Sequence, residues 1–328
     1  MNRHRLLILS VSLGALCGAP LHAAEPVKIL FDTDMTTDCD DAGAMAVLHA
    51  LADRGECEIL ATVTSVPDPN ALATVDAINC YRGRPDLPVG RIKDGGVKMP
   101  SKFTGRIARE FPHRVASGAD FPDAVGVYRD ILTQQPDHSV VLVTVGYLTN
   151  VSHFLRSPGG IELARAKVAR WVCMGGNFIG APPQDDLSLG NVNFQRDAAS
   201  AHHAIHHWPG EIVFAGREVC SVPSGLAIGS ALAETPSDNP VRRSYEHYFD
   251  GTARDRHVAD LAAVLVAVRG LTDCWDLSAN GRMDLREDMT FAWIPDPAGK
   301  QRHLLKKPGN DRHVERVLEV LLVAPRKE

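Results

Sequence analysis

Apolar and polar positions follow two rhythms along the chain. Val27-Lys28-Ile29-Leu30-Phe31 is a short apolar run that predicts a strand. From Asp40 to Ala52, the residues Ala42, Met45, Val47, Leu48 and Leu51 recur at helical spacing, with Asp40 or Asp41 near the helix start. Ile59 to Val63 predicts a second strand and Asn70 to Tyr81 a second helix; Arg84 to Gly90 brings a short third strand behind a turn. Residues 92–121 are polar and weakly patterned, and Lys93 to Phe103 reads as a long loop over a site. The rhythm resumes with a helix over 122–133, a strand over Val140 to Gly146, a helix from about Thr149 and a strand over Val168 to Gly176. After an irregular stretch to Asn193 come a helix over Asp197 to His207, a strand over Glu211 to Ala215 and a helix over His257 to Val268. Polar strands around Met289 to Trp293 and a helix from about Asp311 to Val323 close the chain. This alternation predicts an α/β fold with an open, mostly parallel, Rossmann-like sheet covered by helices. With no internal repeat and no linker rich in Pro, Gly or Ser, a single domain over 25–328 is expected.

The first residues change this picture. Arg3 and Arg5, an apolar run from Leu6 to Leu16 and a small-residue exit at Ala23-Ala24 read as a signal peptide over 1–24. The expectation is export to the periplasm or the medium. No later stretch has the length of apolar sequence a membrane span needs. The chain carries 35 Lys and Arg against 40 Asp and Glu, a net charge of -5. Without the two arginines of the leader it becomes -7, a balance that speaks against nonspecific nucleic-acid binding. The six cysteines beyond Cys17 form no CxxC pair or tight cluster, so neither a zinc site nor a disulfide-built domain is expected.

The densest chemistry follows the first strand. "DTDMTTDCDD" places five aspartates in ten residues, Asp32 to Asp41. Asp32 and Asp34 point to one side if the chain stays extended. Asp40 and Asp41 return at a helix start, where free N–H groups favour carboxylates. Capping explains one or two acids; so many in one loop repel unless a cation sits among them or protons are shared. Oxygen-only donors suit Ca²⁺, and also Mg²⁺ at a smaller, more rigid site. A rival reading comes from "DTDMT", which resembles the DxDxT pattern of haloacid-dehalogenase-like phosphatases, with Asp32 as nucleophile.

Five segments in order resemble the inosine-uridine preferring nucleoside hydrolase family. They are Asp32-Thr33-Asp34 with Asp40-Asp41-Ala42, "GYLTN" (Gly146 to Asn150), "MGGN" (Met174 to Asn177), "NVNFQRDAASA" (Asn191 to Ala201) and "HVADLAAVLVAV" (His257 to Val268). The loop between the acidic pairs has the longer spacing of one branch of that family. The resemblance implies metal-dependent hydrolysis of the N-glycosidic bond of ribonucleosides, giving ribose and free base. It implies Ca²⁺ held by Asp34, Asp41, the Thr149 carbonyl and Asp260, with Asp34 also the base that takes a proton from water. Asp40 and Asn193 would hold ribose hydroxyls, Asp32 would support the loop, and Asp68 or Asn70 would stand near the family's asparagine after strand two. Asn177 and Asn191 fall in the matched substrate-binding segments. Homodimers or homotetramers are a further expectation of the resemblance.

Three departures bear on the leaving-group side. The family's histidine before the late aspartate is Ala259, with His257 three residues ahead of Asp260; its glutamate is Asn191; the proline of its Gly-Pro-Leu-Thr-Asn is Tyr147. Tyr245, His247, Tyr248 and Phe178 are the aromatic and titratable residues offered for base stacking or protonation. The alternative from a different class is a sugar- or nucleoside-binding protein without turnover.

Overall fold

The computed structural model describes residues 25–115, 121–178 and 192–327; the expected leader and Asn191 lie outside them. The first half runs β1 (Val27–Thr33), α1 (Asp40–Asp53), β2 (Cys57–Thr64), α2 (Pro69–Tyr81), β3 (Val89–Arg91), α3 (Thr104–Glu110), α4 (Ala124–Gln134), β4 (Val140–Thr144), α5 (Thr149–Arg156), α6 (Gly160–Lys167) and β5 (Val168–Met174). It continues with α7 (Val192–Gln195), α8 (Ala198–His207), β6 (Ile212–Ala215), α9 (Arg217–Cys220), β7 (Ala227–Ile228), α10 (Pro240–Tyr248), β8 (Arg256–His257) and α11 (Ala259–Arg269). Strands β9 (Trp275–Leu277), β10 (Gly281–Leu285), β11 (Phe291–Pro295) and β12 (Gln301–Lys306) precede α12 (Asp311–Leu322).

The parallel strands lie in the order β3-β2-β1-β4-β5-β6, extended by β12 parallel to β6 and by antiparallel β10 and β11. The chain therefore reverses direction of travel across the sheet between β1 and β4. In open α/β sheets such a switch point opens a crevice beyond the carboxyl ends of the strands. Side chains of β1 show why both faces are covered. Ile29 and Phe31 enter one core with α1, α2 and α11, while Leu30 enters the other with α4, α5 and α8. A strand buried on both faces reads as a continuous apolar run, as this one does.

The same alternation sorts the polar residues that follow. Asp32 continues Leu30's side and accepts hydrogen bonds from Tyr128 of α4 (2.7 Å) and Asn150 of α5 (3.0 Å). Thr33 continues Phe31's side and donates to Asp41 of α1. Helix α1 is buried from Asp40 to Leu51 because sheet, α11 and α12 surround it. Each fully buried Leu or Val there contributes about 1.5–3 kcal/mol.

Three segments differ from expectation. The loop expected over 92–121 contains α3, too short to show a period but anchored by buried Phe103 and Ile107. The late helix starts at Ala259 rather than His257, because His257 pairs with Ala227 in a short β-ribbon. Helix α10, not expected, starts on a legible signal: Asn239 caps it, accepting from Val241 N at 3.0 Å, with Pro240 in its first turn.

Candidate active site

A cavity of about 330 Å³ opens beyond the strand ends, within the range of small-molecule clefts. Four acids form its floor. Asp34 follows β1, Asp40 and Asp41 open α1, and Asp260 lies in the first turn of α11. The carboxylates of Asp40, Asp41 and Asp260 lie within 4.8 Å of one another, and all three residues are buried. Two unit charges at that distance repel by about 3.5 kcal/mol at an effective dielectric near 20. The two helix N-termini return only about 0.3–1 kcal/mol each, up to ~2 in buried geometry. The field of the helices therefore cannot hold three anions together. Burial first, then mutual repulsion, pushes Asp41 and Asp260 well above the usual carboxylate range; burial and Asp38 push Asp40 up as well. An all-oxygen set of buried, mutually repelling carboxylates is a donor set that fits a hard divalent cation.

Asp34 sits beside this cluster. The chain leaves the strand after Thr33, so Asp34 lines the cavity while Asp32 stays beneath it; the two do not share a side as an extended chain would require. Gly146 permits the approach, since a Cβ there would stand 2.4 Å from the Asp34 nitrogen. Burial and the charge of Asp40 raise Asp34 to about 7, against the hydrogen bond it accepts from Tyr147. Arg196 in turn donates to the Tyr147 hydroxyl at 3.0 Å. Burial raises Asp32 to about 7 as well, despite its bonds from Tyr128 and Asn150.

The opposite side of the cavity is compensated. Arg256 donates Nε to both Asp38 oxygens, at 2.8 and 3.0 Å, and Nη2 to Oδ2. His257 lies between two acids, Nε2 at 3.3 Å from Asp38 and Nδ1 at 3.1 Å from Asp40. Burial opposes charge on His257, yet Asp40 and Asp38 outweigh it and raise the imidazole to about 9. Burial likewise acts against ionised Asp38, but His257 and Arg256 hold its carboxyl well below the usual range.

The profile of the inosine-uridine preferring nucleoside hydrolases matches residues 29–302, most of the chain. The chain belongs to that family. Among solved structures it is similar to a plant nucleoside hydrolase, with TM-score 0.68 and 16% identity over 92% of this chain and 100% of that one. It is also similar to the inosine-uridine preferring nucleoside hydrolase of Bacillus anthracis, with TM-score 0.63 and 15% identity over 90% and 99% of the two chains. The type III effector protein XopQ, complexed with adenosine diphosphate ribose, gives TM-score 0.65 and 17% identity over 93% and 94%. At these identities the likeness is one of fold. A search among curated proteins found no significant match.

Within the family frame, the expected site residues divide. Asp34, Asp40, Asp41, Asn193, Tyr248 and Asp260 all line the cavity. Asn193 bridges strand ends, donating Nδ2 to the Val145 carbonyl at 3.0 Å. Thr149 is buried at the start of α5, its hydroxyl donating to Asp197. Other expected contacts lie elsewhere. Asp68 caps α2, accepting from Asn70 N at 2.9 Å and Asn70 Nδ2 at 3.1 Å, outside the cavity lining. Asn177 is buried just past β5, also outside it. Tyr245 is fully buried, its hydroxyl where a Cβ on Gly43 would come within 2.6 Å. His247 faces α3, with Glu110 at 2.8 Å and Arg106 at 3.3 Å. Phe178 stacks on His303 at 4.3 Å in an aromatic cluster with Trp293. Sequence reasoning missed Arg196, Arg217 and Arg256 on the rim, and Tyr128 and Asn150 under Asp32. Tyr147 was flagged as a departure from a family proline, and His257 beside the departure at Ala259.

Proposed function

We propose that the protein is an exported ribonucleoside hydrolase, dependent on Ca²⁺ and of the longer-spaced branch of its family, releasing ribose and free base. The observation that carries this reading is the position of Asp34 beside the Asp40–Asp41–Asp260 cluster, inside a cavity at the switch point of the sheet. Asp34, Asp41, Asp260 and the Thr149 carbonyl would hold the cation, with Asp40 adjoining. When bound, a divalent cation positions a water and makes it more acidic. Asp34 takes a proton from the attacking water, a role suited to a buried carboxylate that lines the cavity beside the acidic cluster. Asp40 and Asn193 bind ribose hydroxyls and fix the sugar over Asp34. Carboxylates around the sugar favour the positive charge that develops on the ring as the base departs. Tyr248, with Arg256 over its ring at 5.4 Å, offers an aromatic wall to the base.

The phosphatase reading is disfavoured by geometry. Asp32 is 1% exposed and engaged by Tyr128 and Asn150, so it cannot reach a phosphoryl group in the cavity. Among the described residues no helix is long and apolar enough to cross a membrane. The test is ribose release from a panel of ribonucleosides by the purified protein, with and without chelator, beside Asp34→Asn. Release that disappears in both controls supports the reading. A folded, Ca²⁺-loaded protein that binds nucleosides without releasing ribose would replace the hydrolase with a binding protein.

A further inference from the structure

Away from the cavity, helix α8 presents an unusual surface. It buries Ala201, Ala204 and Ile205, with Trp208 just past its end, in the core it shares with α5 and the sheet. The outward positions of its last two turns are His202, His203, His206 and His207, four of the chain's 14 histidines within six residues. The helix carries no Lys, Arg, Asp or Glu. A merely solvated helix face takes charged residues, and Lys, Arg and Glu favour the helix more than His does. His202 and His203 are half-buried, His206 and His207 exposed.

The four rings form two pairs. Residues four apart are neighbours on one helix face. Ring centroids lie 4.3 Å apart for His202 with His206 and 4.3 Å for His203 with His207, at interplanar angles of 31° and 20°. Nδ1 of His206 stands 2.9 Å from the His202 carbonyl oxygen, and Nδ1 of His207 2.9 Å from that of His203. A carbonyl only accepts, so both rings carry a proton on Nδ1, and in the neutral form Nε2 keeps its lone pair. Metal-bound histidines are held the same way, their second N–H given to a backbone carbonyl or carboxylate. His203 is neutral too: burial, then Arg156 and the neighbouring His207 and His202, lower it to about 4. Two nitrogens bound to one metal at about 2.0–2.1 Å stand roughly 3 Å apart. Rings with centroids 4.3 Å apart reach that spacing by a small swing. His206 and His207 also lie in the last turn of the helix, where its field favours a cation.

We infer that α8 carries a transition-metal site, in which the pairs His202–His206 and His203–His207 each chelate one divalent ion of the imidazole-preferring class, Cu²⁺, Ni²⁺ or Zn²⁺. Adjacent helical residues do not face each other, so the two pairs do not share an ion, and water completes each coordination sphere. The site differs in place and chemistry from the all-oxygen floor of the cavity, which suits hard cations. The cavity lies at the other end of the helix, beyond Arg196 and Asp197. The inference does not rest on the hydrolase reading.

The experiment titrates the full, untagged chain with Cu²⁺ and with Zn²⁺ by calorimetry, in excess Ca²⁺ to keep the acidic floor occupied. Wild type is compared with H206A, H207A and H206A/H207A. We expect two equivalents of Cu²⁺ in wild type, one in each single variant and none of comparable affinity in the double variant, where affinity falls by about tenfold or more. Zn²⁺ binds with the same stoichiometry but more weakly. Cu²⁺ raises the melting temperature of wild type and leaves that of the double variant unmoved. Electron paramagnetic resonance of the wild-type copper complex reads the site without any substitution, and two nitrogen donors per copper are expected. Copper bound equally well by the double variant, oxygen-only coordination, or no binding by wild type up to about millimolar Cu²⁺ overturns the site. A single equivalent abolished by either single variant, or Zn²⁺ bound more tightly than Cu²⁺, overturns the assignment of two independent pairs.

Discussion

Asp38 and Asp41 leave the same loop three residues apart and face the same cavity, yet their surroundings are opposite. Asp38 meets Arg256 and His257 and is held ionised. Asp41 meets Asp40, Asp260 and Asp34, with the Thr33 hydroxyl as its side-chain donor among the described residues, and burial and repulsion push it toward the protonated form. A paired acid holds loop to loop. Unpaired acids, grouped and buried, cost stability that folding alone does not repay, and that is the mark of a site kept for chemistry.

The strongest way to break this contrast is to remove the proposed base. Asp34→Asn keeps the shape of the side chain and relieves repulsion. It should lower kcat/KM by roughly 10³-fold, within the 10²–10⁴ range of a positioned base, without lowering the melting temperature. Steady-state kinetics beside a thermal melt check both halves. Loss of activity accompanied by unfolding would return Asp34 to a structural role.

The next test compares the two acids directly by sign. In chelator, Asp41→Asn should stabilise the protein by on the order of 2 kcal/mol, part of the ~3.5 kcal/mol repulsion within the cluster. It should also abolish the rise in melting temperature that Ca²⁺ gives the wild type. Asp38→Asn should destabilise by roughly 1–3 kcal/mol, because Arg256 and His257 lose their partner, while the Ca²⁺-induced rise remains. Denaturant titrations with and without Ca²⁺ measure all four quantities. Equal signs for the two variants would erase the distinction between paired and unpaired acids.

A smaller effect is expected where the two environments touch. The Arg196–Tyr147–Asp34 chain gives Asp34 a donor that the family's proline cannot supply. Tyr147→Phe removes that hydroxyl and leaves the ring. A hydrogen bond to a charged group is worth about 1.5–3 kcal/mol, so kcat should fall by about tenfold while KM stays within about twofold. A change confined to KM would assign Tyr147 to substrate binding rather than to positioning Asp34.

Which of these features could be read along the chain follows from how they are built. The strand-helix alternation was legible because both faces of β1, β2 and β4 are buried and the helices carry long apolar faces. The floor acids were legible because Asp34, Asp40 and Asp41 lie on one short loop and helix start, and Asp260 follows a recognisable segment. The rim was not. Arg196, Arg217 and Arg256 are separated by 21 and 39 residues and resemble ordinary surface arginines until the sheet order gathers them. Nor was the split between Asp32 and Asp34, which depends on the chain leaving the strand at Thr33.

The smallest expected effect sharpens the same lesson. His247 and Tyr248 are neighbours in sequence, and both are residues that suit a nucleobase. They sit at the end of α10, and successive helical residues face directions about 100° apart, near 3.6 residues per turn. Tyr248 consequently lines the cavity, whereas His247 turns to Glu110 and Arg106 of α3 and to Arg243 of its own helix. His247→Ala should change kcat/KM by less than about twofold, while Tyr248→Ala should lower it by roughly five- to tenfold through loss of an aromatic wall worth about 1 kcal/mol or more. Kinetics on the two single variants decide the matter. An effect of His247→Ala as large as that of Tyr248→Ala would mean that α10 turns to bring both rings to the substrate, and the compensated side of the cavity would then be mobile where the acidic floor is fixed.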